Sequence, residues 1–388
     1  MTIHDILFSL QRLSLGTRAD EMDFSAFTKA DWQEVIDLSF EQGVAAIAVD
    51  GLQKLCGQHP EMELALDSPE LEDLKYEWFG SVFQAEEDYK KYVDDIASLA
   101  KAYSEAGIEM MVLKGYGLSL NYPVPAHRPV GDIDIYLNDD PSLRQAQGKL
   151  DSGQARLPAW RRGDEVIRRR GIAIDYSHHH HSVFSWRGQM VENHYDIVNR
   201  YAGKSGRMED DMFKQMATEG RKEVVVDGIK VYLPSATFNG IFLLRHASAH
   251  FAGSHITLRH LLDWALFVDK QWKEIDWPFV TDWLSRLGLI KFFSCMNAIS
   301  IDYLGIAAEK FPVLERDAAL ERRVLEDILH PGFSEKGSGF LFKLCRLRAN
   351  LWKRNLVATE SLLPRMLRLA WSYVALPTMT ITMMVKNC

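Results

Sequence analysis

The chain has 388 residues, 47% of them hydrophobic and 25% charged, with a formal net charge of −8. That length exceeds one ordinary compact domain and can bury a sizeable core without covalent staples. The acidic balance argues against a general nucleic-acid binder, which carries a basic face, yet leaves room for one locally basic nucleotide pocket.

The four cysteines, Cys56, Cys295, Cys345 and Cys388, lie far apart and have no metal-ligand spacing. They read as free thiols of a reducing compartment. The opening MTIHDILFSLQRLSLG lacks a basic start, a long apolar stretch and a small-residue cleavage site. No signal peptide is expected, and the chain is expected to be cytoplasmic. The stretch Leu369 to Val385 is short for a membrane span and is broken by Pro377, so a packed or interfacial helix is expected there.

Residues 1–105 read as helices. Ile6, Leu7, Leu10 and Leu13 recur at helical spacing. Asp31 reads as an N-cap for the helix that follows it. Residues 74–106 form a long helical pattern ending near Gly107. The texture then changes. Met110 to Leu113 is a short apolar run, and Ile133, Ile135 and Leu137 alternate with Asp132, Asp134 and Tyr136, the period of a strand. Two hairpins are expected, turning at Arg187-Gly188 and at Asp227-Gly228. From Ser235, an N-cap candidate, the chain is helical again. A Gly/Ser/Lys-rich loop follows Pro331, then a basic stretch of Lys343, Arg346, Arg348, Lys353 and Arg354, which reads as a solvated helix face. Its sharper reading is a patch for an anionic acceptor or an acidic membrane. The expected organisation is a helical region over 1–105, an α/β core over 106–234 and a helical region over 235–388. The fold class is α+β, a mixed sheet with helices flanked by helical segments.

Asp132 and Asp134 carry the chemistry. On a strand they leave the same face, roughly 7 Å apart, with Ile133 and Ile135 on the other. Two carboxylates on one face suit Mg²⁺, which takes hard oxygen ligands and substrate phosphates. A two-metal arrangement clamps both oxygens of an in-line displacement. The turn Lys114-Gly115-Tyr116-Gly117 precedes the pair. Its glycines let backbone N–H groups approach a phosphate, and Lys114 and Arg128 add positive charge. The bland alternative is a strand with two solvent-facing aspartates after a Pro-rich loop, with Arg128 paired to a nearby acid.

These motifs resemble the nucleotidyltransferase superfamily, and more narrowly the bacterial "uncharacterised nucleotidyltransferase" family. The matching segments are Leu113-Lys114-Gly115, Tyr122 to Arg128, Gly131-Asp132-Ile133-Asp134 and Val191-Glu192-Asn193-His194. The likeness continues through His246 to His250 and Leu258 to Trp264. It implies a nucleotidyltransferase-like fold, an NTP substrate, Mg²⁺ (two ions, with Mn²⁺ an alternative) and an acceptor that the sequence does not name. It also implies a third carboxylate. Glu192 matches that position and Asp196 is the alternative. His194 shares the strand face and reads as an orienter of substrate or a structural histidine. Lys114-Gly115-Tyr116-Gly117 stands where the superfamily has a Gly-Gly/Ser turn, and the loop to Asp132 is longer than usual.

Other histidines read more blandly. Strand alternation sends successive members of His178 to His181 to opposite faces, so adventitious Ni²⁺ or Zn²⁺ binding is expected there rather than a dedicated site. His246 and His250 have the i, i+4 spacing of a zinc pair, and Asp263 offers a third ligand for a metal hydrolase. The usual neighbouring glutamate is absent, so mutual satisfaction between helices is the simpler reading. The competing function is a non-catalytic nucleotide- or partner-binding module on a degenerate transferase fold.

Overall fold

The computed structural model describes residues 2–18, 27–58, 69, 71–139, 157–178, 180–198, 200, 204–330 and 350–357. In chain order the helices and strands are α1 (Ile3–Leu15), α2 (Lys29–Glu41), α3 (Ala45–Gln58), α4 (Glu72–Ser104), β1 (Ile108–Val112), α5 (Tyr116–Ser119), β2 (Ile133–Asp139), α6 (Ala159–Arg168), β3 (His181–Trp186) and β4 (Gln189–His194). Then follow α7 (Lys204–Thr218), β5 (Lys222–Val226), β6 (Ile229–Leu233), α8 (Ala236–Gly253), α9 (Leu258–Gln271), α10 (Trp277–Arg286), α11 (Ile290–Leu304), α12 (Ala318–Leu329) and α13 (Leu351–Val357). The class is α+β with one mixed sheet. The described residues form two compact units, one drawn from residues 1–90, 118–130 and 239–357, the other from residues 91–117 and 131–238. Helices α1 to α3 and α9 to α13 fall in the first unit with the Pro-bearing loop, while α4 and α8 have residues in both.

In the sheet-bearing unit the strand order is β3-β4-β2-β1-β6-β5. β2 runs antiparallel to β1 and parallel to β4, while β1 runs parallel to β6. Hairpins close both edges. Arg187 and Gly188, at φ 53° and 90°, turn β3 into β4, and Asp227 and Gly228, at φ 47° and 80°, turn β5 into β6. Two successive positive-φ residues match the twist of the flanking strands. Helix α6 presses on one face of the sheet through Gly163, where an added Cβ would stand 2.2 Å from Leu137 Cδ1. Its Asp164 is buried and accepts hydrogen bonds from Ser182 Oγ (2.9 Å), Asn193 Nδ2 (2.8 Å) and the Tyr176 hydroxyl (2.8 Å). Burial pushes that carboxyl up, while its three donors hold it down. Sequence reading did not single out this fastening of α6 to β3 and β4.

The helical unit buries a core of aromatic side chains, among them Phe251, Trp264, Phe292 and Phe293. Helix α2 starts at a capping box in which Thr28 is the N-cap and Asp31 the N3 partner, so Asp31 caps from three residues inside. Ser235 accepts from Phe238 N (3.2 Å) at the start of α8, as an N-cap does. Lys353 corrects the reading of the basic stretch as a solvated face. It is buried, its ammonium 2.5 Å from Asp327 and 3.2 Å from the carbonyl of Ser254. Lys343, Arg346 and Arg348, like the apolar stretch Leu369 to Val385, lie outside the described residues. Among the described residues no helix is long and apolar enough to cross a membrane.

Candidate active site

The parallel pairing of β2 with β4 assembles the site. Asp134 stands opposite Glu192, and Tyr136 opposite His194. The antiparallel β3–β4 ladder sets His181 opposite His194. Partners in register share a sheet face, so Asp134, Glu192, His181 and His194 all project from the same side. Ile133 and Ile135 leave from the opposite side and are fully buried.

His194 Nε2 lies 3.1 Å from Asp134 Oδ1 and 3.4 Å from Glu192 Oε2. Lys114 Nζ lies 3.0 Å from Asp134 Oδ2. Asp134 is therefore a buried carboxylate held between two cations. Burial opposes its charge, but the Lys114 ammonium and the His194 hydrogen bond outweigh burial and hold it well below the usual carboxylate range. Burial likewise opposes a charged His194, but its bonds to Asp134 and Glu192 raise it to about 9, so at neutral pH it is an imidazolium. Glu192 is only half-buried. Burial pushes it up, and the hydrogen bond from His194 and the charge of His181 bring it below its ordinary value.

Asp132 precedes β2 rather than belonging to it. Its carboxyl is pushed up by burial and then by the charge of Asp134, with Lys114 opposing and Glu192 adding. It thus sits in the field of the cluster. Asp134, Glu192 and His194 each bring one ligand atom within 4.8 Å of the others, a group that does not include Asp132. Asp196, the alternative third carboxylate, is turned to Lys214, with Arg200 4.0 Å away. Glu192, by contrast, faces Asp134 and His194.

The Lys114-Gly115-Tyr116-Gly117 turn lies at the end of β1. Gly115 has φ 49°, and an added Cβ would meet the Tyr92 hydroxyl at 2.0 Å. The Gly117 N–H is used within the turn, bonding Lys114 O at 3.0 Å. Tyr116 is half-buried, and burial followed by the charge of Asp227 pushes its hydroxyl up. Arg128 lies in the other unit. Its Nε and Nη2 donate to the two carboxylate oxygens of Asp263 at 2.8 and 2.9 Å, and Tyr122 adds a 2.8 Å bond to the same carboxylate. This buried fork is the pairing named above as the alternative to a phosphate contact. It also occupies Asp263, so His246, His250 and Asp263 do not form a convergent ligand set among the described residues.

Sequence reasoning passed over His180 and His181. One nitrogen from each of His180, His181 and His194 falls within 4.8 Å of the others. The alternation argument failed because β3 begins at His181, and His180 lies outside the strand. Burial, followed by the charge of His194, lowers His181 to about 4.

The family profile described as "Uncharacterised nucleotidyltransferase" matches residues 28–304. The chain belongs to that family. The match includes β1, β2, β4 and every residue of the cluster. Among solved structures, an antigenic nucleotidyltransferase-like protein from Paracoccidioides brasiliensis is 15% identical, over 56% of this chain and 95% of that one, with a TM-score of 0.32. A likeness at that level carries no argument. No curated protein matches the chain.

Proposed function

We propose that this family member is a divalent-metal-dependent nucleotidyltransferase that moves a nucleoside monophosphate from an NTP to a hydroxyl or phosphate acceptor. The observation that carries this reading is the meeting of Asp134 and Glu192 across the β2–β4 pair, with Asp132 in their field, in a chain of this family. The donor set fits a divalent cation, since two carboxylates and an imidazole converge within 4.8 Å. Oxygen-rich sets of this kind suit Mg²⁺ or Mn²⁺. Asp134, Glu192 and Asp132 would hold one or two such ions. When bound, the metal supplies positive charge to the phosphoryl oxygens.

The protein's own groups do the positioning. His194 donates to both Asp134 and Glu192 and so fixes their orientation. Lys114 neutralises Asp134 in the free chain and is the cation placed to exchange that partner for a phosphate oxygen. Backbone at Gly115 and Tyr116 borders the same turn. In the transfer, the acceptor oxygen forms a bond to the α-phosphorus and the bond from that phosphorus to the β-phosphate oxygen breaks. Pyrophosphate leaves, and the acceptor proton passes by way of Glu192, the more exposed carboxylate, to solvent. Positioning and charge neutralisation supply most of the acceleration in such transfers.

A second reading, a non-catalytic binding module, is favoured by one observation. Asp134 is already neutralised by Lys114 and His194 without a metal. Incubating the chain with each radiolabelled NTP and Mg²⁺ or Mn²⁺ separates the two. The transferase reading expects pyrophosphate release, or label on an acceptor or on the protein itself, lost in Asp134→Asn and Glu192→Gln. Nucleotide binding with no pyrophosphate release from any NTP would sink it and leave the module.

A further inference from the structure

We propose that His180, His181 and His194 form a binding site for a transition-metal ion of the Zn²⁺ class, sharing His194 with the carboxylate set but independent of any transfer activity. Three observations converge on it. First, one ring nitrogen of each histidine lies within 4.8 Å of the other two. The ring centroids are 4.4 Å apart for His180 and His181, 5.1 Å for His181 and His194, and 5.6 Å for His180 and His194. Second, the backbone under them is fixed. His181 is in register with His194 across the β3–β4 ladder, and the His180 carbonyl accepts from Tyr195 N (3.0 Å) and Asp196 N (3.1 Å). Third, His181 is 5% exposed, and both its ring nitrogens are buried without a hydrogen-bond partner. Buried polar atoms are nearly always bonded, and one left open beside two other imidazoles asks for a ligand.

Zn²⁺ takes imidazole nitrogen at ~2.0–2.1 Å, which sets ligand nitrogens some ~3.3 to 4 Å apart. The three nitrogens fall within 4.8 Å of one another. His180, the half-buried member, lies just outside the strand. Glu192 Oε1 lies 3.6 Å from His181 Nε2 and offers a fourth, oxygen ligand. A three-nitrogen, one-oxygen set selects Zn²⁺, Co²⁺ or Ni²⁺ over Mg²⁺, which dehydrates reluctantly and seeks oxygen. His194 stands in both donor sets; a metal on one of its ring nitrogens displaces the proton that the imidazolium carries there in the metal-free chain, while its carboxylate neighbours act as the outer partners that orient the ring. His178 stacks on His181 at 4.7 Å but is exposed and is not part of the convergent group, so it serves as a control.

The test uses the full chain, untagged and never passed over a metal column, stripped with chelator and then titrated with Zn²⁺ or Co²⁺ alone. The expected result is one metal per chain by elemental analysis, retained against excess Mg²⁺. Bound Co²⁺ should show the intense visible absorption of a four-coordinate ion. His180→Ala and His181→Ala should each weaken binding by on the order of tenfold or more, while His178→Ala and Asp132→Asn leave it unchanged. His181 is buried, so melting curves in chelator check its fold, and half-buried His180 carries the same test if His181→Ala does not fold. Equal uptake by wild type and His180→Ala would overturn the site. Displacement by Mg²⁺, or failure to bind one Zn²⁺ per chain, would overturn it as well.

Discussion

Lys114 and Asp134 form a buried ion pair, 3.0 Å from Nζ to Oδ2, joining the second residue past β1 to the second residue of β2. The backbone repeats the link, since Leu113 N donates to Asp134 O at 3.0 Å. The carboxylate at the centre of the candidate site therefore also holds the sheet's charge balance.

That pairing sets the stability of two aspartate variants apart. From sequence alone, close carboxylates repel, and removing either is expected to be neutral or mildly stabilising. For Asp134 the structure reverses the sign. Asp134→Asn leaves a lysine ammonium and an imidazolium without their shared counter-charge, a loss of roughly 3–5 kcal/mol for a broken buried pair. Asp132→Asn, by contrast, removes a carboxylate pushed up by burial and by Asp134, so it should be neutral or stabilising. Thermal melts of the metal-free proteins decide this. An unchanged melting temperature for Asp134→Asn would refute the role given to Lys114.

Arg128 should matter to folding rather than to nucleotide affinity. Its fork on Asp263 is buried, and lysine cannot reproduce two parallel bonds. Arg128→Ala removes the fork and leaves Asp263 the Tyr122 hydroxyl and the charge of Arg259, and should cost ~3–5 kcal/mol; Arg128→Lys should recover only part of that. NTP titrations of the folded variants should show wild-type affinity. A selective loss of NTP affinity with unchanged stability would return Arg128 to the phosphate site.

His260 gives the helical unit an acid-sensitive cap. Its Nδ1 accepts from Thr257 N (3.2 Å) in the capping box that starts α9. Burial, then the charge of Arg259, lowers it from 6.5 to about 3. The unfolded chain therefore binds a proton that the folded chain refuses between those values. The contribution is complete above pH 6.5 and falls away toward pH 3, at up to ~1.4 kcal/mol per pH unit. His260→Gln keeps an acceptor at the N3 position and does not titrate. Its denaturation midpoint should fall less steeply with acid than that of wild type. Parallel profiles for the two proteins would remove His260 from the acid response.

Gly115→Ala should be strongly destabilising for two separable reasons. A φ of 49° is costly for alanine, and its Cβ would stand 2.0 Å from the Tyr92 hydroxyl. Replacing Tyr92 with Phe removes the second reason only, leaving the ring carbon Cζ at 3.2 Å. The double variant Tyr92→Phe/Gly115→Ala should regain part of the stability lost by Gly115→Ala, the remaining cost of about 1 kcal/mol being that of the left-handed backbone. Additive losses in the double-mutant cycle would show that the two positions do not touch.

Local patterns were legible in the sequence because their causes are local. Alternation of Ile133, Ile135 and Leu137 with polar neighbours marks β2, and Asp227-Gly228 marks a hairpin because both residues tolerate positive φ. Partnerships between distant segments were not legible. Nothing in the spacing of Arg128 and Asp263, or of Lys353 and Asp327, says that they pair, since each pairing depends on how helices pack. The imidazole cluster was hidden for a narrower reason. Its presence depends on β3 starting at His181, and a shift of one residue would reverse every side chain along the strand.

The register of β2 against β4 has a consequence for how the site comes into being. Asp134 and Glu192 are 58 positions apart in the chain (192 − 134), and they meet only when two strands that are not joined by a hairpin align in parallel. Such long-range pairing is slow to form, because the loop's entropy is lost before any contact rewards it. No segment ending before His194 contains the cluster, even with both aspartates present. During synthesis the chain thus carries its acidic motif for some time as an inert strand. The cluster is completed in one late step, when the β3–β4 hairpin docks its β4 edge on β2.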